Sequence, residues 1–327
     1  MVFEVQKLKN GDVKMILRLG HAELFVTDLQ KSREFYVDVL GFIEVGFEAG
    51  SLYLRGADEF DKCTLILKEN TYTALGHFGF RVSTPEYLEE LKRKHAELGI
   101  KSEFVKESAH LGQGSSLRVT TPSGHPVEFY HHMDQLNLYD QGGHVTALPM
   151  RAANQRGIPP LSIDHVNLRV TNVEQAIEYW SKLDFSISEY VEQSDGSKFA
   201  VWMRRKTSTH DLAIVKSDRN SCHHIAYRVE GIAAVVKTAD LLADAGYRDS
   251  IEYGPGRHGV TNAFFLYIRD PDGHRMELYT SDYNRDLDQP PIRWSKDAYD
   301  KHGRLWWGSV VPERFFESSS LNNDWVK

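Results

Sequence analysis

Apolar and polar positions alternate along this chain in two rhythms, and each rhythm recurs in both halves. In Asp164-His165-Val166-Asn167-Leu168-Arg169-Val170 every second residue is aliphatic. That period predicts a strand with one face in a core and the other toward a polar space. The period then changes: Val173, Ala176, Ile177, Trp180 and Leu183 recur at helical spacing and predict an amphipathic helix. The same succession appears near the start, where Gly20 to Val26 reads as a strand and Leu29 to Leu40 as a helix, followed by Gly41-Phe42.

Three landmarks return at nearly one spacing. His21 and His165 are offset by 144 residues. His77, in Gly76 to Val82, and His224, in His223 to Val229, are offset by 147. Glu128 and Glu277, each behind a turn (Pro122-Ser123-Gly124 and Pro271-Asp272-Gly273), are offset by 149. Helical stretches follow the second landmark of each half, at Pro85 to Leu98 and Ile232 to Ala245. Each half therefore reads as two units of strand, helix and several strands. The expected fold is α+β, with four βαβββ modules paired into two domains, 1–140 and 161–283. A Gly- and Pro-containing linker, 141–160, would join them. The tail, 284–327, carries Trp294, Trp306 and Trp307 and is too apolar for a free disordered end, so it is expected to pack as a lid. A length of 327 residues, beyond the size at which one core usually stops growing, agrees with two domains.

Composition narrows the function. A net charge of −7 without a basic cluster gives no footprint for nucleic acid. No run of apolar residues is long enough to span a membrane, and the polar N-terminal stretch shows no secretory signal. Cys63 and Cys222 are too few for a disulfide scaffold or a zinc knuckle and suit a reducing, cytoplasmic setting.

The candidate chemistry lies at the repeated landmarks. Two imidazoles and one carboxylate on a concave sheet face would occupy one side of a divalent ion and leave other positions open. Non-haem Fe(II) and Mn(II) enzymes need that arrangement. His165, His224 and Glu277 form such a trio, but His21, His77 and Glu128 form its equivalent, so the trio alone does not say which half is active. Its company does. His210, expected on a strand Thr209-His210-Asp211-Leu212, stands where the N-terminal half has Cys63. Tyr267 stands where that half has Arg118. His258 lies in Gly254-Pro255-Gly256-Arg257-His258-Gly259, whose counterpart keeps His110 without the Gly-Pro-Gly. An acid/base imidazole and a phenol beside a metal suit proton-coupled chemistry, and only the C-terminal half offers both. The N-terminal trio reads as a remnant of duplication.

The strings DHVNLRV (164–170), HHIAYRV (223–229), GPGRHGV (254–260), NAFFLYIRDPDGHRMELYTSDY (262–283) and WWG (306–308) resemble the type I extradiol dioxygenases of the vicinal oxygen chelate superfamily. Within that family the pattern is most similar to the 3,4-dihydroxyphenylacetate (homoprotocatechuate) 2,3-dioxygenases. The resemblance implies one Fe(II) or Mn(II) per subunit on His165, His224 and Glu277, and ring cleavage of a catechol with O2. It places His210 beside O2 as acid/base, and Tyr267 with His258 at the substrate oxygen. Asn167 and Trp202 would line the pocket, Arg304 would come from the tail to a substrate carboxylate, and the subunits would form a homotetramer. The chain departs from the expected pattern at Tyr253, where an arginine is anticipated. Arg257 and Arg304 then remain for carboxylate recognition, for which a guanidinium is well suited. Catechol or another substituted catechol is the alternative substrate. A glyoxalase-like isomerase and a metal-free binding protein are the remoter readings.

Overall fold

The computed structural model describes residues 15–105, 110–136 and 156–326, so 141–155 of the expected linker lie outside the described residues. In the N-terminal half, strand β1 (Ile16–Val26) leads through helix α1 (Leu29–Arg33) to β2 (Ile43–Glu48), β3 (Ser51–Arg55) and β4 (Leu65–Glu69). A second module follows: β5 (Ala74–Val82), α2 (Pro85–Glu97), β6 (Ser102–Val105), β7 (Ser116–Thr120) and β8 (Pro126–Tyr130). They make one sheet in the order β2-β3-β4-β1-β5-β8-β7-β6. Within each module the first and last strands pair in parallel, and the two modules join where β1 meets β5 antiparallel.

The C-terminal half repeats this plan. Its modules are β9 (Ser162–Val170), α3 (Val173–Lys182), β10 (Ser186–Glu192), β11 (Lys198–Arg204) and β12 (Leu212–Lys216), then β13 (Ser221–Arg228), α4 (Ile232–Asp244), β14 (Ile251–Arg257), β15 (Phe264–Arg269) and β16 (Arg275–Thr280). With β17 (Ile292–Ser295) from the tail, the order is β14-β15-β16-β13-β9-β12-β11-β10-β17. The α+β architecture of four βαβββ modules paired into two sheets is thus the observed one.

The alternation read in β9 has its structural meaning. Val166, Leu168 and Val170 are buried in the main core, while His165, Asn167 and Arg169 line a cavity on the other face. Helix starts follow local chemistry: Asp28, Thr84 and Asn172 each accept a hydrogen bond from a backbone N–H of the first turn. Two elements differ from expectation. The helix from Leu29 widens into a π-helical turn over Glu34–Val39. There Phe35 packs on Tyr247, and Tyr36 donates a 2.9 Å hydrogen bond to Asp270. The strand expected through His210 begins only at Leu212, because the side chains ahead of it bond locally. The Asp211 carboxylate accepts from the Arg205 N–H at 2.7 Å, and Thr209 bonds the His210 ring at 2.9 Å.

One hydrophobic core runs through both halves. Phe80 packs on Trp180 and Phe185, and Phe42 on Tyr227, with ring centroids 4.8 to 5.6 Å apart. The tail pairs β17 with β10, passes over the C-terminal cavity, and then bridges Cys222 to Ser319 and Leu75 to Leu321. Its packed aromatics are Tyr299, Phe315 and Trp325, whereas Trp306 and Trp307 are exposed. Among the described residues no helix is long and apolar enough to cross a membrane.

Candidate metal centre and its cavity

β9, β13 and β16 are adjacent in the C-terminal sheet, and the parallel and antiparallel ladders between them carry His165, His224 and Glu277 to one spot. Nε2 of His165 lies 3.2 Å from Nε2 of His224 and 3.0 Å from Oε2 of Glu277. His224 Nε2 is 3.0 Å from the same carboxylate oxygen. Bonds of about 2.1 Å to adjacent octahedral positions put donor atoms about 3.0 Å apart. The near-equilateral triangle therefore fits one face of an octahedral divalent ion.

Hydrogen bonds fix which nitrogen of each ring faces the triangle. His165 Nδ1 is 2.8 Å from the Asp164 carboxylate, so Nδ1 carries the proton. A chain sets His224: Nε2–H of His223 donates to the Phe315 carbonyl at 2.7 Å, which leaves His223 Nδ1 to accept from His224 Nδ1 at 2.7 Å. Both Nε2 lone pairs are thereby directed at the triangle, the orientation that metal-bound histidines obtain from their outer partners. Asp164 and His223 were not anticipated as functional; their position next to each ligand in the sequence was the available signal.

Electrostatics agree with a cation at this point. Burial raises the pKa of Glu277, but bonds from His165, His224 and His258 outweigh it and hold the carboxylate well below its usual range. Burial also opposes charge on His165, yet Asp164 and Glu277 lift its pKa to about 9. For His224 burial wins and depresses the pKa to about 4. The Nε2 proton that His165 then shares with Glu277 stands in the place a dication would take.

A cavity of about 320 Å³ opens over the triangle, lined among others by His210, Tyr267, His258, Asn167, Trp202 and Arg304. Six of the seven residues expected around the metal thus meet there. His210 is pressed well below the usual imidazole range by burial, then by neighbouring His165, so it is neutral. Its ring lies 3.9 Å from that of His165. Tyr267, on β15 opposite Glu277, has its hydroxyl 3.1 Å from His258 Nε2, and burial raises its pKa so that the phenol keeps its proton. His258 Nδ1 in turn bonds the Arg304 carbonyl, tying the tail to the site.

Arg257 is the exception. Its guanidinium donates to the Asn262 carbonyl at 2.7 Å and lies over Phe264, and it does not line the cavity. β14 ends at Arg257, where its backbone pairs with Trp307, and the side chain points away. Tyr253 is 1% exposed and lies behind Tyr267, with the two rings parallel at 5.8 Å. The cation that sequence reading missed is Arg169, which lines the cavity with its Nε buried and unbonded. The polar face of β9, which carries His165 and Asn167, was the signal for it.

The register between halves also places the counterparts. Leu212 pairs with Val166 as Leu65 pairs with Ala22, so Cys63 occupies the position of His210. Arg118 pairs with Glu128 as Tyr267 pairs with Glu277.

Comparison with known proteins matches this geometry. Residues 162–278 match the Glyoxalase/Bleomycin resistance protein/Dioxygenase superfamily, and residues 75–133 the catechol 2,3-dioxygenase-like N-terminal domain. The chain is 31% identical over 302 residues to a manganese-dependent 2,3-dihydroxybiphenyl 1,2-dioxygenase of Geobacillus genomosp. 3, covering 90% of this chain and 94% of that one. It is 30% identical to a metapyrocatechase of Pseudomonas sp. (strain CF600), covering 92% and 98%. The structure of homoprotocatechuate 2,3-dioxygenase from Brevibacterium fuscum, in complex with 3,4-dihydroxyphenylacetate, superposes with a TM-score of 0.85 at 36% identity, covering 94% of each chain. The chain belongs to the extradiol ring-cleaving dioxygenases of this superfamily.

Proposed function

We propose that this enzyme cleaves 3,4-dihydroxyphenylacetate, or a closely similar catechol with an acidic side chain, at the bond outside the two hydroxyls. Both atoms of O2 enter the ring-opened semialdehyde. The reading rests above all on one observation: the His165–His224–Glu277 triangle shares its cavity with His210 and Tyr267.

His165, His224 and Glu277 would hold one Fe(II) or Mn(II) per subunit; manganese is named in the Geobacillus relative. When bound, that ion supplies Lewis acidity toward the catechol oxygens and a position for O2. The chain's own groups do the rest. Nδ1 of His258 donates to the Arg304 carbonyl, so its Nε2 accepts from the Tyr267 hydroxyl, and this pair would hold and pass a proton beside the substrate oxygen. His210 is anchored through Nδ1 to Thr209, which is held by Tyr279 and Asp282, so its Nε2 is free to take a catechol proton and return it as the ring opens. The tail residues Tyr299, Phe315 and Phe316 wall the cavity and exclude water.

Arg169 and Arg304 supply the positive charge for a substrate carboxylate in place of the arginine absent at position 253. Burial lowers the pKa of Arg169 only to about 10, so it stays charged at neutral pH. The apolar side chains Phe199, Trp202 and Val260 on the cavity wall favour the second reading, catechol or a catechol with an apolar substituent. We further propose a homotetramer, for which the exposed Trp306, Trp307 and Val310 of the tail offer an apolar surface, and a cytoplasmic location, in keeping with two buried free thiols.

The deciding experiment is O2 uptake by Fe(II)- or Mn(II)-loaded protein with 3,4-dihydroxyphenylacetate and catechol side by side. The acidic substrate is expected to have the higher kcat/KM, and Arg169→Ala to erase the difference. Equal rates on both substrates in the unaltered enzyme would remove the acidic-substrate reading.

A further inference from the structure

The N-terminal half buries the duplicate trio, and the fold brings a fourth donor to it. His21 on β1, His77 on β5 and Glu128 on β8 are each fully buried, and His110, just ahead of β7, reaches the same carboxylate. We propose that His21, His77, His110 and Glu128 form a second metal site, closed and structural, that takes a four-coordinate dication of the Zn2+ type.

Geometry carries the argument. Zn–N bonds of about 2.0–2.1 Å in a tetrahedron require donors about 3.3 Å apart. Here His21 Nε2 lies 2.9 Å from His77 Nε2 and 3.5 Å from Glu128 Oε2. His77 Nε2 and His110 Nε2 lie 3.7 and 3.8 Å from that oxygen. All four donor atoms fall within 4.8 Å of one another. The C-terminal triangle, with sides of 3.0 to 3.2 Å, fits an octahedral face left open, whereas the N-terminal cluster brings a fourth donor within 4.8 Å of the other three.

The unsatisfied groups give an independent indication. His110 Nε2 is buried without a hydrogen-bond partner and faces the cluster. Leaving such a nitrogen unpaired costs about 1–3 kcal/mol, which a metal bond removes. Outer partners are also in place. Glu23 Oε1 lies 3.4 Å from His77 Nδ1, and Glu23 Oε2 lies 4.0 Å from His110 Nδ1, so one carboxylate faces the far nitrogens of two ligands. Ser116 and Arg118 hold Glu128 through Oε1, at 2.8 and 3.4 Å. Oε2 accepts from Gln113 at 2.7 Å and keeps a second lone pair toward the imidazoles.

Access explains why the site would be structural. The nearest cavity reaches His110 and Gln113 but not His21, His77 or Glu128. On the opposite side Trp325 lies flat on His77 at 4.5 Å, and Arg118 covers Trp325 in turn. No room is left for a substrate. Arg118 stands where the other half has Tyr267, and Cys63 where it has His210, so neither of those two groups has a counterpart beside these donors. The ion would enter during folding and tie the end of the tail to the N-terminal sheet.

Metal content of the full-length protein produced in Zn2+-supplemented medium tests this. Mass spectrometry should find two dications per chain in the unaltered protein and one in His165→Ala/His224→Ala. The remaining ion should vanish when Glu128→Gln is added. Co2+ bound to the His165→Ala/His224→Ala protein should give the intense visible bands of a four-coordinate ion, and His110→Ala should weaken them as water enters. Circular dichroism checks that each variant is folded. The unaltered chain needs no such check, and one dication per chain there that is lost in His165→Ala/His224→Ala overturns the proposal. So does a second dication that survives Glu128→Gln.

Discussion

At the scale of single residues, position in the fold assigns similar histidines different work. His165, His210, His223 and His224 lie within one buried cluster, yet only His165 and His224 present Nε2 to the triangle. His223 is spent on orienting its neighbour, and His210 stands off the strand ladder with its Nδ1 on Thr209. The duplicated landmarks singled out His165 and His224 in the sequence, and Cys63 opposite drew attention to His210; the fold brings all three to one cavity. It could not reveal the role of His223, because that depends on the Phe315 carbonyl arriving from a tail 92 residues away. Nor could it show that Arg257 turns outward while Arg169 faces in. The pair His210 and His223 makes a two-armed prediction. His210→Asn should lower kcat about 10²- to 10⁴-fold with metal content unchanged, the usual effect of removing a general acid/base. His223→Ala should instead weaken metal affinity about 10- to 100-fold, as loss of an outer partner does. Metal titration alongside single-turnover rates separates the two, and metal loss from His210→Asn would show its role to be misassigned.

At the scale of elements, alternation and helical spacing were legible because each strand has one apolar face and each helix one apolar stripe. Local bonding was not. The π-helical turn after Arg33 and the late start of β12 both follow from side-chain partners that periodicity does not see. Three neighbouring strands show how such partners hold the site. Glu252 on β14 takes hydrogen bonds from Arg275 on β16 and, at 2.9 Å, from Arg269 on β15. Arg275 also bonds the His223 carbonyl at 3.0 Å, so this ion pair braces the strands that carry Glu277 and His224. Burial would raise the pKa of Glu252, but the two guanidinium groups outweigh it and hold it below its ordinary 4.5. A depressed carboxylate contributes stability that is present above its unfolded pKa and is lost as pH falls through the folded value. Glu252→Gln should therefore cost about 3–5 kcal/mol near neutral pH, the usual effect of breaking a buried pair. The gap between variant and parent should narrow below about pH 4.5. Urea unfolding across pH checks it, and a gap independent of pH would refute the ionic account.

At the scale of the whole molecule, the repeat correctly announced two domains but suggested more independence than the fold has. The internal offsets are a record of duplication, and duplication says nothing about how the copies pack afterwards. Here the halves share a core in which Phe80 meets Trp180, Phe42 meets Tyr227 and Phe35 meets Tyr247. Buried polar bonds cross the same boundary: Tyr36 donates to Asp270, Glu59 accepts from the Ile163 N–H at 2.8 Å, and Tyr227 donates to the Thr64 carbonyl at 3.0 Å. The tail adds a third tie, closing the C-terminal cavity with Phe315 and then covering His77 with Trp325. Two domains that meet through a small polar interface unfold separately, whereas a large apolar interface couples them. Each half is denied an intact core without the other, so the chain should unfold in one cooperative transition. Far-ultraviolet circular dichroism and tryptophan fluorescence should give coincident urea curves, even though all six tryptophans lie in the C-terminal half and the tail. Two separated transitions would mean that the shared core contributes little. The coupling bears on function because the ligand-bearing strand β9 lies at the centre of its sheet, and its apolar face, Val166, Leu168 and Val170, belongs to the core that both halves build. The N-terminal half thus helps to hold in place the scaffold of the His165–His224–Glu277 triangle.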